Sequence, residues 1–293
     1  MKTIQQKTDV EKAGIKGKVK SVKTVKYDAI EKSGEITKGD VSSIDESLYN
    51  ANGNTIEWKR YKSDGSLYDV YTYKYDSKGN LIEYNYCKSD GSLADKWIYK
   101  YDSNGNRIEA DNYKSDGSLE KKHTYKHDSN GNPIEWKWYE SDGSLRNTDT
   151  YKYDSNGNRI EEDEYNFDGS LVEKYTYKYD SSGNLIEENE YNSDGSLAEK
   201  YTYKYDSNGN PIEENKYNSD GSLHRKKTCK YDSNGNRIEY NYCKSDGSLA
   251  LKYTYEYKYD SKGNWTELIE YIEEADSVRE AKSITERTIT YYE

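Results

Sequence analysis

Tyr179-Asp-Ser-Ser-Gly-Asn-Leu-Ile-Glu-Glu-Asn-Glu-Tyr-Asn-Ser-Asp-Gly-Ser-Leu197 is one copy of a unit repeated almost end to end along the 293-residue chain. Its first glycine recurs at one interval as Gly53, Gly79, Gly105, Gly131, Gly157, Gly183, Gly209 and Gly235, and its second as Gly65, Gly91, Gly117, Gly143, Gly169, Gly195, Gly221 and Gly247. A constant 26-residue period marks an array whose units contact mainly their neighbours.

Both glycines stand three residues after an Asx residue, Asp180 before Gly183 and Asn192 before Gly195. That spacing predicts a type I turn followed by a left-handed residue, the three-residue hairpin loop. Between the turns, Leu197-Ala-Glu-Lys-Tyr-Thr-Tyr-Lys-Tyr205 and Leu185-Ile-Glu-Glu-Asn-Glu-Tyr191 alternate and are rich in Tyr, Thr and Ile, as strands are. The loop sets Asp180 against Asn184 and Asn192 against Ser196. Counting outward gives Tyr179 opposite Leu185, Tyr177 opposite Glu187 and Lys178 opposite Ile186. The strands sort into a Tyr/Leu face and a Lys/Glu face, with Glu188 and Glu190 on the charged side. The expected fold is all-β: a tandem hairpin array, an antiparallel meander of about 18–21 strands forming an elongated, twisted single-layer or coiled sheet.

Residues 1–15 read as a flexible leader, 16–50 as N-terminal capping strands, 51–264 as the array and 265–293 as C-terminal capping strands. Leu, Ile, Val and Phe are sparse, but 35 Tyr and a net charge of only -11, from 44 basic against 55 acidic residues, favour folding. The acidic balance argues against nucleic acid, and no apolar run has the length of a membrane helix. Met1-Lys-Thr-Ile-Gln-Gln-Lys7 has no signal-type apolar segment, which fits a cytoplasmic protein or one whose signal is absent from this chain. Cys87, Cys229 and Cys243 stand where other copies carry Tyr, without CxxC spacing, and do not form a disulfide framework.

The Tyr-Asp-x-x-Gly-Asn element, as at Tyr75-Asp, Tyr101-Asp, Tyr153-Asp, Tyr179-Asp, Tyr205-Asp, Tyr231-Asp and Tyr259-Asp, resembles the YD or Rhs repeat of bacterial surface and toxin proteins over residues 50 to 270. It is less closely similar to the hairpin repeats of the MORN-like antitoxin group. The period is longer and the strands more polar than in YD repeats. The first resemblance implies a spiralling single-layer sheet in an extracellular or cell-surface bacterial protein, and the second an immunity or antitoxin role.

No residue set has catalytic or cofactor geometry: three histidines, no phosphate loop and no Cys/His cluster argue for a non-enzyme without cofactor or metal. Asp102-Ser-Asn-Gly-Asn106 has calcium-loop spacing, but one carboxylate per turn reads as turn chemistry. His123 and His127 occupy Tyr positions too far apart to share an ion. The candidate binding residues are aromatics that replace the repeat's Glu positions: Trp58, Tyr84, Tyr86, Trp136, Trp138, Tyr240 and Tyr242. Aromatics exposed on a charged face mark an interaction site for glycan or protein. The expected role is a non-catalytic surface or secreted binding scaffold. The alternative is self-assembly through terminal edges at Val19–Tyr27 and Ile284–Tyr292.

Overall fold

The computed structural model describes residues 7–275 and 277–293. One helical turn, α1 (Asp9–Lys12), precedes β1 (Val19–Lys32) and β2 (Glu35–Tyr49). The repeats supply β3 (Thr55–Tyr61), β4 (Leu67–Tyr75), β5 (Leu81–Lys88), β6 (Leu93–Tyr101), β7 (Arg107–Lys114), β8 (Leu119–His127), β9 (Pro133–Glu140) and β10 (Leu145–Tyr153). They continue with β11 (Arg159–Asn166), β12 (Leu171–Tyr179), β13 (Leu185–Asn192), β14 (Leu197–Tyr205), β15 (Pro211–Asn218), β16 (Leu223–Tyr231), β17 (Arg237–Cys243) and β18 (Leu249–Tyr259). β19 (Trp265–Glu274) and β20 (Glu280–Tyr291) end the chain.

The turns form as their residues dictate. The Asp180 amide donates to Asn184 O at 2.9 Å and the Gly183 amide to Asp180 O at 3.1 Å, with Gly183 at φ 85°. Gly131 shows why glycine is favoured here: its φ of 87° strains any residue with a Cβ, and an added Cβ would stand 2.9 Å from Asn106 Oδ1 of the preceding unit's turn, which would have to shift.

Two expectations are overturned. Every strand pairs antiparallel with its sequence neighbours, and β1 also pairs with β20, Val22 against Ile289 and Tyr27 against Ile284. The sheet is therefore a closed 20-stranded barrel rather than an open or coiled layer. The terminal strands offered as free edges for self-assembly are each other's partners, so closure consumes the edge. Within the N-terminal segment, Val10 and Ile15 are buried with Val19, Val22 and Tyr49 in a small core, while residues 1–6 lie outside the described residues.

The second correction is one of facing. Tyr179 meets Leu185 as expected, but Lys178 meets Glu187 and Tyr177 meets Glu188, because Ile186 is an extra, bulged residue. Ala198 does the same beyond the other turn, with Tyr191 on Leu197 and Glu190 on Glu199. Each bulge returns the following residues to the opposite face. Glu188 and Glu190 thus lie with the tyrosines, and Glu187 and Asn189 with the lysines.

Tyr73 pairs with Tyr84, and Tyr84 with Trp97, whereas the residue equivalent to Tyr73 one unit on is Tyr99. The walk falls back two residues per pair of strands, a stagger that tilts strands by roughly 35–40° and gives 20 strands a diameter of about 35 Å. Such a wall is one layer thick. The accessible surface of 17404 Å² exceeds by about a third the ~13,000 Å² of a compact monomer of this mass. Tyr177 is 9% exposed whereas Lys178 beside it has a side chain 67% exposed, so the Tyr row faces the lumen and the Lys row the outside.

Candidate functional site

On the outer wall each unit repeats one ion-pair motif. Lys178 and Lys200 both donate to Glu187 at 2.7 Å, and Asn189 donates to Thr176 Oγ1 at 3.3 Å. Hydrogen bonds from the two lysines hold the Glu187 carboxyl at about 2. Lys204, Glu213 and Lys226 repeat the arrangement one unit on.

The lumen wall is not uniform. The bulges carry every candidate aromatic inward, and five of the seven join one lane across β3 to β9. Trp58 stacks on Tyr71 at 4.8 Å, Tyr71 on Tyr86 at 5.0 Å, and Tyr84 packs against Tyr73 at 5.5 Å. Tyr84 pairs in register with Trp97, which meets His123 edge-on at 5.4 Å. His123 in turn packs against Trp136 at 5.0 Å and Trp138 at 5.8 Å. Trp97 and His123 are two strands apart; between them β7 sets Ala110 opposite His123 and Asn112 opposite Trp97, both 1% exposed, and the small Ala110 leaves room for the rings to meet. Tyr240 and Tyr242 lie away from this lane, on β17; Tyr240 packs against Tyr253 at 6.1 Å.

Polar groups stand at both ends of the lane. At one end Arg60 forks onto Asp69, donating from Nε to Oδ1 at 2.9 Å and from Nη2 to Oδ2, and also donates to the Tyr71 hydroxyl at 2.8 Å. At the other, Trp136 Nε1 donates to His123 Nδ1 at 3.1 Å, which leaves the proton of the neutral ring on Nε2. Burial, then the Lys121 charge, lowers His123 to about 4, so it is neutral at pH 7. His123 Nε2, Trp138 Nε1, Asn147 Oδ1 and Asp149 Oδ1 are buried without a hydrogen-bond partner among the described residues. They lie on the registered neighbours β8, β9 and β10. His127 stands at a Tyr position nearer the turn, and no metal-binding group occurs among the described residues.

No protein-family model matches the chain, and no curated protein is similar to it in sequence. Among solved structures it is similar to a porin-like protein from Bacteroides uniformis, at 13% identity over 93% of this chain and 96% of that chain, with a TM-score of 0.41. A porin-like protein from Bacteroides vulgatus gives 13% identity, 94% and 98% coverage and a TM-score of 0.27. TcdB2-TccC3 gives 15% identity over 87% of this chain but 16% of that chain, with a TM-score of 0.35. Likenesses this distant say nothing of function; the barrel assignment rests on the β1–β20 seam.

Beyond the lane the lumen turns acidic. From β10 to β15 it presents Asp149, Glu162, Glu164, Glu173, Glu188, Glu190, Glu199 and Glu214. Some are balanced, Glu162 by Arg159 at 3.0 Å and Glu199 by Lys216 at 2.6 Å. Asp149 is not: burial, then the charges of Glu164 and Glu162, raises it to about 6. Reading the sequence missed Trp97, which breaks the Lys-Tyr-Thr-Tyr consensus as Lys96-Trp97-Ile98-Tyr99, and missed Ala110, where a Glu position becomes small.

Proposed function

We propose that this protein is a non-catalytic receptacle that binds a neutral glycan chain along the aromatic lane of its lumen. The carrying observation is two runs of ring contacts, Trp58 to Tyr84 and Trp97 to Trp138, set side by side by the in-register pair Tyr84 and Trp97, with unpartnered polar atoms concentrated at the Trp138 end. A pyranose ring offers an apolar C–H face to an aromatic ring and hydroxyls at its edge to polar groups. Seven strands at ~4.8 Å spacing give a lane of about 30 Å, long enough for several sugar rings in series.

The outer wall supports a barrel that stands in water. A lipid-facing barrel carries an apolar band about 25 Å tall, whereas the outward mid-strand residues here are Lys174, Thr176, Lys178, Glu187 and Asn189. An extracellular or cell-surface setting, where glycan chains are met, belongs to the same proposal, as does kinship with YD repeats.

Titrating the protein with a panel of neutral oligosaccharides, followed by tryptophan fluorescence and calorimetry, tests the reading. Trp97→Ala and Trp136→Ala should each weaken binding roughly tenfold or more, as truncation of a buried aromatic anchor does. No binding across the panel, or undiminished binding by both variants, sinks it.

A further inference from the structure

A second site lies at the barrel seam. Residues 8–17 cross the rim on which the Asp-x-x-Gly-Asn turns sit. The strap is pinned where the Val10 amide donates to Gly53 O at 3.1 Å and the Thr55 amide donates to Asp9 at 2.9 Å. At its other end the Lys16 amide donates to Asn264 Oδ1 at 2.7 Å, and Asn264 Nδ2 donates back to Lys16 O at 3.0 Å. Beneath it is a cleft of about 260 Å³, lined by Lys12, Lys16, Gly235, Gly263, Trp265 and Arg287 among others.

We propose that this cleft binds a small oxyanion, a phosphate or sulfate group. Arg287 Cζ sits over the Trp265 ring, 3.4 Å from its centroid, and no carboxylate pairs with it among the described residues. Its Nε is buried without a partner among the described residues, an arrangement that costs stability unless an acceptor arrives. Lys12 and Lys16 bring two more positive charges from the strap, Lys12 also touching Asp9 at 3.3 Å. The acids of the adjoining turns are engaged elsewhere: Asp260 accepts from the Tyr291 hydroxyl at 2.9 Å, and Asp232 accepts from Tyr259 and the Asn236 amide. Burial holds the Arg287 guanidinium down to about 10, the direction expected of a cation short of counter-charge. The planar fork matches a tetrahedral oxyanion, and the turn glycines let it approach the backbone closely.

The site is separate from the aromatic lane and does not depend on the glycan reading. Calorimetry and thermal melting of the full chain with inorganic phosphate, sulfate and glucose 6-phosphate, with chloride as the ionic-strength control, test it. Phosphate or sulfate should raise the melting temperature beyond chloride, because a ligand that binds only the folded state stabilises it. Arg287→Gln should weaken binding roughly tenfold or more. The double variant Lys12→Ala/Lys16→Ala, on exposed side chains, should weaken it severalfold, and it carries the test if the Arg287 variant fails to fold. Tighter binding of the ester than of free phosphate identifies the anion as part of a larger ligand, and equal binding identifies a free ion. A wild-type response no greater than chloride's, or one unchanged in the variants, overturns the proposal.

Discussion

The two walls of this barrel are made by the same strands, yet they behave as different molecules. Outside, the triad of Lys178, Glu187 and Lys200 returns as Lys204, Glu213 and Lys226 with its contacts unchanged. Inside, the position held by Glu188 is Trp58, Tyr84, Ala110, Trp136, Glu162, Glu214 or Tyr240 in other units. Sameness from unit to unit is what a wall needs to stay in register. Departure from it on the inner face is where a ligand can be told from bulk water. The lumen then divides again, into an aromatic arc on β3 to β9 and an acidic arc on β10 to β15.

Three experiments would break or sharpen this contrast, in descending order of expected effect. Asp69 is fully buried on the lumen side and holds the Arg60 fork. Asp69→Ala should cost about 1–3 kcal/mol in chemical denaturation, since it removes the buried carboxylate that accepts the charged fork of a partly exposed Arg60; a loss below ~1 kcal/mol would put that pair on a par with the outer wall.

A medium effect is expected at the border of the two arcs, from Asp149. A carboxyl near 6 when folded and near ~3.9 when unfolded holds its proton more tightly in the native state. Its contribution favours folding below pH ~4 and is lost as pH rises through about 6. The melting temperature of Asp149→Asn should therefore gain on wild type between pH 4 and pH 7. Outer-wall Glu187, held at about 2, behaves in the opposite sense: its stabilisation is present above the ordinary carboxyl range and fades as pH falls toward 2. A flat difference between Asp149→Asn and wild type would show that the lumen does not perturb its acids. The smallest effect belongs to Glu187→Gln, which should cost under ~1 kcal/mol and leave ligand binding untouched, because its lysine partners remain solvated.

Much of this architecture was legible in the residues. The Asx-to-Gly spacing specifies the loops, the loops specify the first pair of each hairpin, and Tyr179 on Leu185 and Tyr191 on Leu197 follow. The inner and outer assignment was not legible past that point. Ile186 and Ala198 do not advertise a bulge, and a bulge of one residue reverses the facing of everything after it. The half-exposed Ile56, Ile108, Ile134, Ile160, Ile186 and Ile238, an odd placement for Ile in a regular strand, are its trace in the structure. The candidate aromatics are departures from the repeat that lie on the tyrosine face rather than on the charged face where they were expected. Closure was hidden for a different reason. The seam joins Val19–Lys32 to Glu280–Tyr291, two segments outside the repeat whose complementarity shows only once both are extended side by side.

The stagger of two residues per unit makes the bore a matter of counting. Each unit brings two strands and its own share of the tilt, while the seam strands stay the same. A chain of near-identical stretches that gained one copy would close on the same seam with a lumen wider by about a tenth, and one that lost a copy would close narrower by as much. The caliber of this vessel is thus written as a number of copies, and can change in whole steps without any residue of the seam being altered.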